Sequence, residues 1–182
     1  MSTPHESVAV LSRALDQTGD VLAHVHPDQL SLPTPCREWT VADLIRHLLA
    51  DPRNFATMME GGEPDWAAEP PALPEDWTAA FRSAADDLIH LWHQRESGEG
   101  QGPPADMQTA EFAVHTWDLA RATGYADPLD PDVAERGLSF LTAALKPETR
   151  GGAFGPEVEA PADAGVYERL AAFSGRDPAA QA

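Results

Sequence analysis

The stretch from Ala110 to Ala120 constrains the fold of this chain more than any other. It contains no Gly or Pro and is rich in strong helix formers, so it predicts an α-helix. Its large apolar residues spread around most of the helix circumference, which is typical of a helix buried inside a bundle. These residues are Phe112, Val114, Trp117 and Leu119. The rest of the chain is therefore expected to supply helices that surround this one.

Glu111 and His115 lie one turn apart on the same face of that helix, because four residues advance roughly 6 Å along the axis. At about 100° per residue, Asp118 and Gln108 fall on this face as well. A buried carboxylate without a partner is energetically costly. A divalent metal ion is one partner that would satisfy both Glu111 and His115. An ordinary solvated Glu/His pair is the alternative that this spacing leaves open.

Hydrophobic periodicity predicts helices on both sides of the central stretch. The first runs from Glu6 to about Val25. The second begins after Thr40, whose side chain is placed to form a near-match to a capping box with Asp43, and Pro52 kinks or splits it. The others span Pro74 to about Arg95, Asp130 to Pro147, and Val166 to Phe173. Gly- and Pro-rich breaks at 60–74 and 97–104 separate them, and no strand pattern stands out. The sequence predicts an all-α fold.

Composition narrows the functions that are open to this chain. Thirty acidic residues against 12 basic ones give a formal charge of −18. That balance argues against binding to nucleic acid or to an anionic membrane, since both require a basic surface. The N-terminus lacks a signal-peptide pattern and no apolar run is long enough to span a bilayer, so we expect a cytoplasmic protein. The single cysteine, Cys36, is expected to pack structurally, with activation by the following helix N-terminus as the alternative.

His47 on the second predicted helix is the candidate for a third metal ligand. Facing helices of a bundle can combine a pair of ligands on one helix with a third from another. Two imidazoles and one carboxylate suit zinc, nickel or iron(II) and leave coordination positions for water or substrate. A half-exposed histidine with no ligand role is the alternative for His47.

Two segments of the chain resemble the signatures of a known family. The segment from Thr34 to Leu48 is similar to the first signature of the mycothiol-dependent maleylpyruvate isomerase N-terminal domain family, which belongs to the DinB/YfiT-like metalloenzymes. The segment from Glu111 to Gly124 resembles its second signature. The Gly151–Pro156 and Ala171–Arg176 segments look like the C-terminal part of a short actinobacterial branch.

The resemblance implies a DinB-like four-helix bundle with additional short C-terminal helices, forming a single metal-binding domain over 1–182 with a frayed tail at 175–182. It implies that His47, Glu111 and His115 bind a divalent metal, zinc or nickel, and that Asp118 orients a ligand imidazole. The isomerase itself carries a further C-terminal domain, and the chain after Gly124 is expected to be too short for it. Maleylpyruvate isomerisation is therefore not the favoured reaction.

The favoured hypothesis is a metal-dependent enzyme that uses mycothiol for S-transfer or isomerisation. Its partners would be a small-molecule thiol and a small electrophile, with the metal activating the thiol. A metal-dependent hydrolase is the nearest alternative. A helical bundle that binds or senses a metal without catalysing a reaction is the second alternative. The sequence leaves a homodimer open.

Overall fold

The helix that contains the central stretch lies in the middle of an all-helical structure. The computed structural model describes residues 4–36, 38–65, 68, 71–95, 104–151 and 154–180. Within these residues there are six α-helices and two short 3₁₀ turns, at Pro27–Gln29 and Pro147–Thr149. The helices are α1 (Pro4–Ala23), α2 (Val41–Met59), α3 (Trp77–Gln94), α4 (Ala105–Thr123), α5 (Pro131–Ala144) and α6 (Val166–Phe173).

The first four helices form a bundle in which each helix contacts two others: α1 packs on α3 and α4, and α2 packs on the same two. Helix α5 covers α4 and α1, and α6 packs on α5 and α4. As a result, every residue of α4 from Gln108 to Ala120 is buried except Glu111. The predicted burial of the central stretch on most of its sides is confirmed. So is the all-α, DinB-like fold class.

Local signals in the sequence set the ends of the bundle helices. The Asp43 backbone N–H donates to the Thr40 hydroxyl, and the Thr40 N–H donates to the Asp43 carboxylate, which completes a capping box at the start of α2. Gly124 takes a left-handed conformation, with φ of 70°, and ends α4. Pro52 lies inside a continuous α2, so of the two predicted alternatives at this residue, a kink or a split, the split is wrong.

Small residues let α5 approach α4 closely. A β-carbon added at Gly137 of α5 would lie 3.2 Å from the Cα of Ala110 and 3.5 Å from the Cβ of Ala113. That spacing is tighter than ordinary packing, so a side chain at position 137 would require the α4 backbone to shift. The contact places α5 over the small apolar side chains of Ala110 and Ala113, which lie on the side of α4 away from Glu111 and His115.

The segment after α6 returns to α4. Gly175 has φ of 87°, and an added β-carbon would clash with the backbone of Gly155. The following Arg176 is buried against α4. The prediction of a frayed tail from 175 thus differs from the ordered placement of residues 175–180. Residues 181 and 182 lie outside the described residues. So do most of the predicted break at 97–104 and part of the predicted break at 60–74. None of the described helices is both apolar and long enough to cross a membrane.

Candidate metal centre

Three predicted ligands, His47, Glu111 and His115, meet where α2 faces α4. The Nε2 atom of His47 lies 3.0 Å from Oε1 of Glu111, and the Nε2 atom of His115 lies 3.1 Å from the same oxygen. One donor atom from each of the three residues can be chosen so that all lie within 4.8 Å of one another. The spacing of Glu111 and His115 at i and i+4 brings both to one face of α4, and the packing of α2 brings His47 opposite them.

Asp118 lies behind His115, one turn further along α4. Its Oδ2 is 3.1 Å from Nδ1 of His115, so Nε2 is left facing Glu111. Arg176 donates from Nε to Oδ1 of Asp118 at 3.2 Å and from Nη2 to Oδ2 at 3.0 Å. This bidentate pair neutralises a fully buried carboxylate and holds it in place. A carboxylate hydrogen-bonded to the far nitrogen of an imidazole is the usual support of a metal-binding histidine.

Trp39 packs against both imidazoles. Its ring centroid lies 4.8 Å from that of His47 and 5.8 Å from that of His115, and the two imidazole centroids are 4.7 Å apart. Trp39 immediately precedes Thr40, the cap of α2, which is the helix that carries His47. The indole therefore limits the rotation of both histidine rings.

Asp51 is a buried acid beside the three residues. Its Oδ2 lies 3.1 Å from Nε2 of His47, and its side chain is 2 % exposed. Burial raises the pKa of this carboxyl to about 7, with the nearby Glu111 adding to the rise while His47 and His115 oppose it. Sequence reasoning missed Asp51, although it stands four residues after His47 and hence on the same face of α2.

The electrostatics of the cluster favour a charged Glu111. Burial raises the pKa of Glu111, but the charge of His115 and the hydrogen bonds from both imidazoles outweigh burial and bring it well below its usual range. For His115, burial opposes protonation, yet Glu111 and Asp118 raise its pKa well above the ordinary value. The two carboxylates therefore create a strong local preference for positive charge between them.

Cys36 also lies near this cluster, on the side of His115 that faces Asp118. A donor atom from each of Cys36, His115 and Asp118 can be chosen so that the three lie within 4.8 Å of one another. Burial raises the pKa of the Cys36 thiol despite the nearby charge of His115 and Arg176. The alternative of a thiol activated by the helix N-terminus is therefore not supported.

Gln108 does not join the site, although it was predicted to share its face. Its Oε1 accepts a hydrogen bond from Nε1 of Trp92 at 3.2 Å, and its amide contacts the sulfur of Met59. Three further histidines, His24, His90 and His93, are exposed.

The donor set fits a divalent cation. It comprises two imidazole nitrogens that converge on one carboxylate oxygen, which is a combination suited to zinc or nickel. The side chains of His47 and Glu111 are 24 % and 21 % exposed, so the cluster is open to solvent on one side. A cation held there by three protein groups would keep a position for an exchangeable ligand, whereas a closed structural site takes four protein ligands.

Comparison with known proteins places the candidate cluster within a known family domain. The model of the mycothiol maleylpyruvate isomerase N-terminal domain matches residues 11–120, which include the whole candidate cluster. The chain belongs to that family. The chain is also 35 % identical over 179 residues to the protein named uncharacterized protein Rv0738 of Mycobacterium tuberculosis, with 90 % of this chain and 94 % of the relative covered.

A second relative from the same organism, uncharacterized protein Rv0036c, is 30 % identical over 157 residues, which cover 70 % of this chain and 60 % of the relative. No solved structure matches the chain. The resemblance to the isomerase N-terminal domain family is thus confirmed. The ligand roles of His47, Glu111 and His115, and the orienting role of Asp118, stay predictions that the geometry supports.

Proposed function

We propose that this member of the isomerase N-terminal domain family is a metal-dependent enzyme that transfers or uses a small thiol, with mycothiol as the cosubstrate and a small electrophile as the substrate. His47, Glu111 and His115 would hold the cation, zinc or nickel. The observation that carries the proposal is the convergence of two Nε2 atoms, from two different helices, on one oxygen of Glu111.

A bound divalent cation would lower the pKa of a coordinated thiol and so make it nucleophilic at neutral pH. The residues of the chain prepare the site for that chemistry. Asp118, held by Arg176, fixes the orientation of His115, and Trp39 restricts both imidazoles. Glu111 supplies a negative charge that stays ionised across the physiological pH range. The protein supplies no nucleophile of its own in this proposal.

Partial exposure favours an enzyme over a purely structural metal site. A structural cation is normally enclosed by four protein ligands, whereas a cation at this cluster would face solvent through the gap beside His47 and Glu111. The same openness is compatible with water as the nucleophile, so a metal-dependent hydrolase is the second candidate. A metal-binding or metal-sensing bundle without catalysis is the outcome that remains if neither reaction is found.

The test is a conjugation assay with metal-loaded protein, mycothiol and a panel of electrophiles, run beside a hydrolysis panel without thiol. We expect thiol consumption by the wild type and its loss in His115→Ala. His93→Ala, at an exposed histidine of α3, is the matched control and should retain full activity. Metal binding without conjugation by the wild type would refute the transferase; hydrolysis instead would favour the second candidate.

A further inference from the structure

The carboxylate of Asp51 is the least satisfied polar group near the metal centre. Its Oδ2 has no hydrogen-bond partner of acceptable geometry within the described part of the chain, even though its residue is only 1 % exposed. Nε2 of His47 lies 3.1 Å from this oxygen. That nitrogen carries at most one hydrogen, and it already lies 3.0 Å from Glu111, so it cannot satisfy two carboxylates at once.

The acidic side chains around the site differ in whether a basic side chain neutralises them. Asp118 is neutralised by Arg176 through two hydrogen bonds. Glu111 and Asp51 have no such partner: among the described residues, neither forms an ion pair with an arginine or a lysine. Two neighbouring acids in a poorly solvated position are unfavourable unless positive charge lies between them.

We propose that Asp51 is a positioning residue of the metal centre, a second carboxylate that balances the charge of the divalent cation held by His47, Glu111 and His115. Two carboxylates and one dication give a neutral cluster when the imidazoles are neutral ligands. Asp51 is absent from the described groups of donor atoms that lie within 4.8 Å of one another. Asp51 is therefore not one of the three converging donors. It would stabilise the bound cation electrostatically from its position beside His47.

This inference rests on the proposed metal site and makes a quantitative claim about binding. Removing a group that supports a metal ligand typically lowers metal affinity by about 10–100-fold. Asp51→Asn keeps the size and shape of the side chain, removes its charge and replaces one acceptor oxygen with an NH2 donor group. Asp86→Asn, at an exposed acid of α3, is the matched control because it makes the same change in net charge far from the site.

The experiment measures the Zn²⁺ affinity of the three proteins by competition with a chromophoric chelator, together with the melting temperature with and without Zn²⁺. We expect Asp51→Asn to bind Zn²⁺ about 10–100-fold more weakly and to gain less thermal stability from it. Asp86→Asn should match the wild type in both. The metal-free Asp51→Asn protein should melt no lower than the metal-free wild type.

Three results would overturn the inference, and they are distinguishable. Equal affinity of Asp51→Asn and wild type, within twofold, would remove Asp51 from the metal centre and leave the proposed function intact. A metal-free Asp51→Asn protein that melts well below the wild type would assign Asp51 to the fold instead. A wild type that does not bind Zn²⁺ would refute the proposed metal site, and this inference with it.

Discussion

At the scale of single residues, the candidate metal centre depends on which ring nitrogen of each histidine faces Glu111. Asp118 contacts Nδ1 of His115 and so leaves Nε2 toward Glu111. His47 presents its Nε2 atom to the same oxygen from the other helix. Neutral imidazole nitrogens and an ionised carboxylate are the protonation states that a metal ion requires. The donor atoms are therefore oriented for a cation before one binds, and a cation would have to displace the proton that Glu111 and Asp118 favour on His115.

Removing either imidazole should abolish tight binding. His47→Ala and His115→Ala each delete one of three converging donors, and we expect the Zn²⁺ affinity to fall by more than the roughly 10–100-fold that changes outside the ligand set produce. Isothermal titration calorimetry measures the effect, with His90→Ala of the exposed α3 surface as the control. Unchanged binding in both variants would show that the ion binds elsewhere.

The metal-free protein should lose stability as the pH rises above neutral. The pKa of His115 is raised in the folded state, so its contribution is fully present below its unfolded value of about 6.5 and is lost as the pH rises through the folded value. The pKa of Glu111 is lowered, so its contribution is lost only in acid. Urea unfolding between pH 6 and 9 measures the slope. His115→Gln should reduce that slope without abolishing it, because the raised pKa of Asp51 also lowers stability as the pH rises toward about 7. An identical slope in both proteins would contradict this account.

The candidate ligands could be predicted from the sequence, but the residues that surround them could not. Glu111 and His115 share a helix face by spacing, and His47 follows the capped start of α2 at the position that the family signature marks. Arg176 is separated from Asp118 by 58 residues, and nothing local to Arg176 indicates that contact. A residue before a helix cap usually packs against the first turns of that helix, and this rule does not indicate that the ring of Trp39 covers the two imidazoles.

At the scale of helices, the bundle relies on the close approach of α5 to α4. Gly137→Ala would place a methyl group 3.2 Å from the α4 backbone at Ala110, which cannot move aside without displacing the helix. We expect this change to lower the free energy of unfolding by about 1–3 kcal/mol, even though alanine is the better helix former. Chemical denaturation measures the difference.

Gly19→Ala is the matched control for that prediction. Gly19 also lies within a helix, α1, and its added methyl group would also meet a neighbour at 3.2 Å, but that neighbour is the flexible side chain of Arg82. We expect Gly19→Ala to be neutral or to stabilise the protein by up to about 1 kcal/mol. A destabilisation equal to that of Gly137→Ala would mean that backbone proximity is not the deciding factor.

The helices themselves were largely predictable because their ends carry local chemistry. The Thr40–Asp43 capping box, Asp130 before Pro131, and Gly124 after α4 each satisfy or terminate backbone groups close by in sequence. Such signals do not depend on tertiary contacts. The continuity of α2 through Pro52 does depend on them, since packing of the helix against α3 and α4 compensates for the missing backbone donor.

At the scale of the whole molecule, the C-terminal segment is tied to the metal centre through the ion pair of Arg176 and Asp118. Arg176→Met would leave the fully buried Asp118 carboxylate without its bidentate partner, and we expect a loss of about 3–5 kcal/mol in unfolding free energy. Adding Asp118→Asn to Arg176→Met should recover part of that loss. The double-mutant cycle measures the coupling between the two residues.

The control for that cycle is the ion pair of Arg13 and Asp132, which joins α1 to the start of α5 at the surface. Because both side chains are largely solvated, Arg13→Met should cost no more than about 1 kcal/mol. A similar small loss for Arg176→Met would show that the C-terminal segment contributes little to the stability of the bundle.

The central claim is that His47, Glu111 and His115 hold one divalent cation and leave a position for a thiol. X-ray absorption spectroscopy of the Zn²⁺-loaded protein tests it most directly, before and after addition of mycothiol. The account predicts a shell of nitrogen and oxygen ligands that includes two imidazoles, and a new sulfur ligand at about 2.3 Å once the thiol is added. A shell with fewer than two imidazoles, or one that mycothiol leaves unchanged, would contradict it.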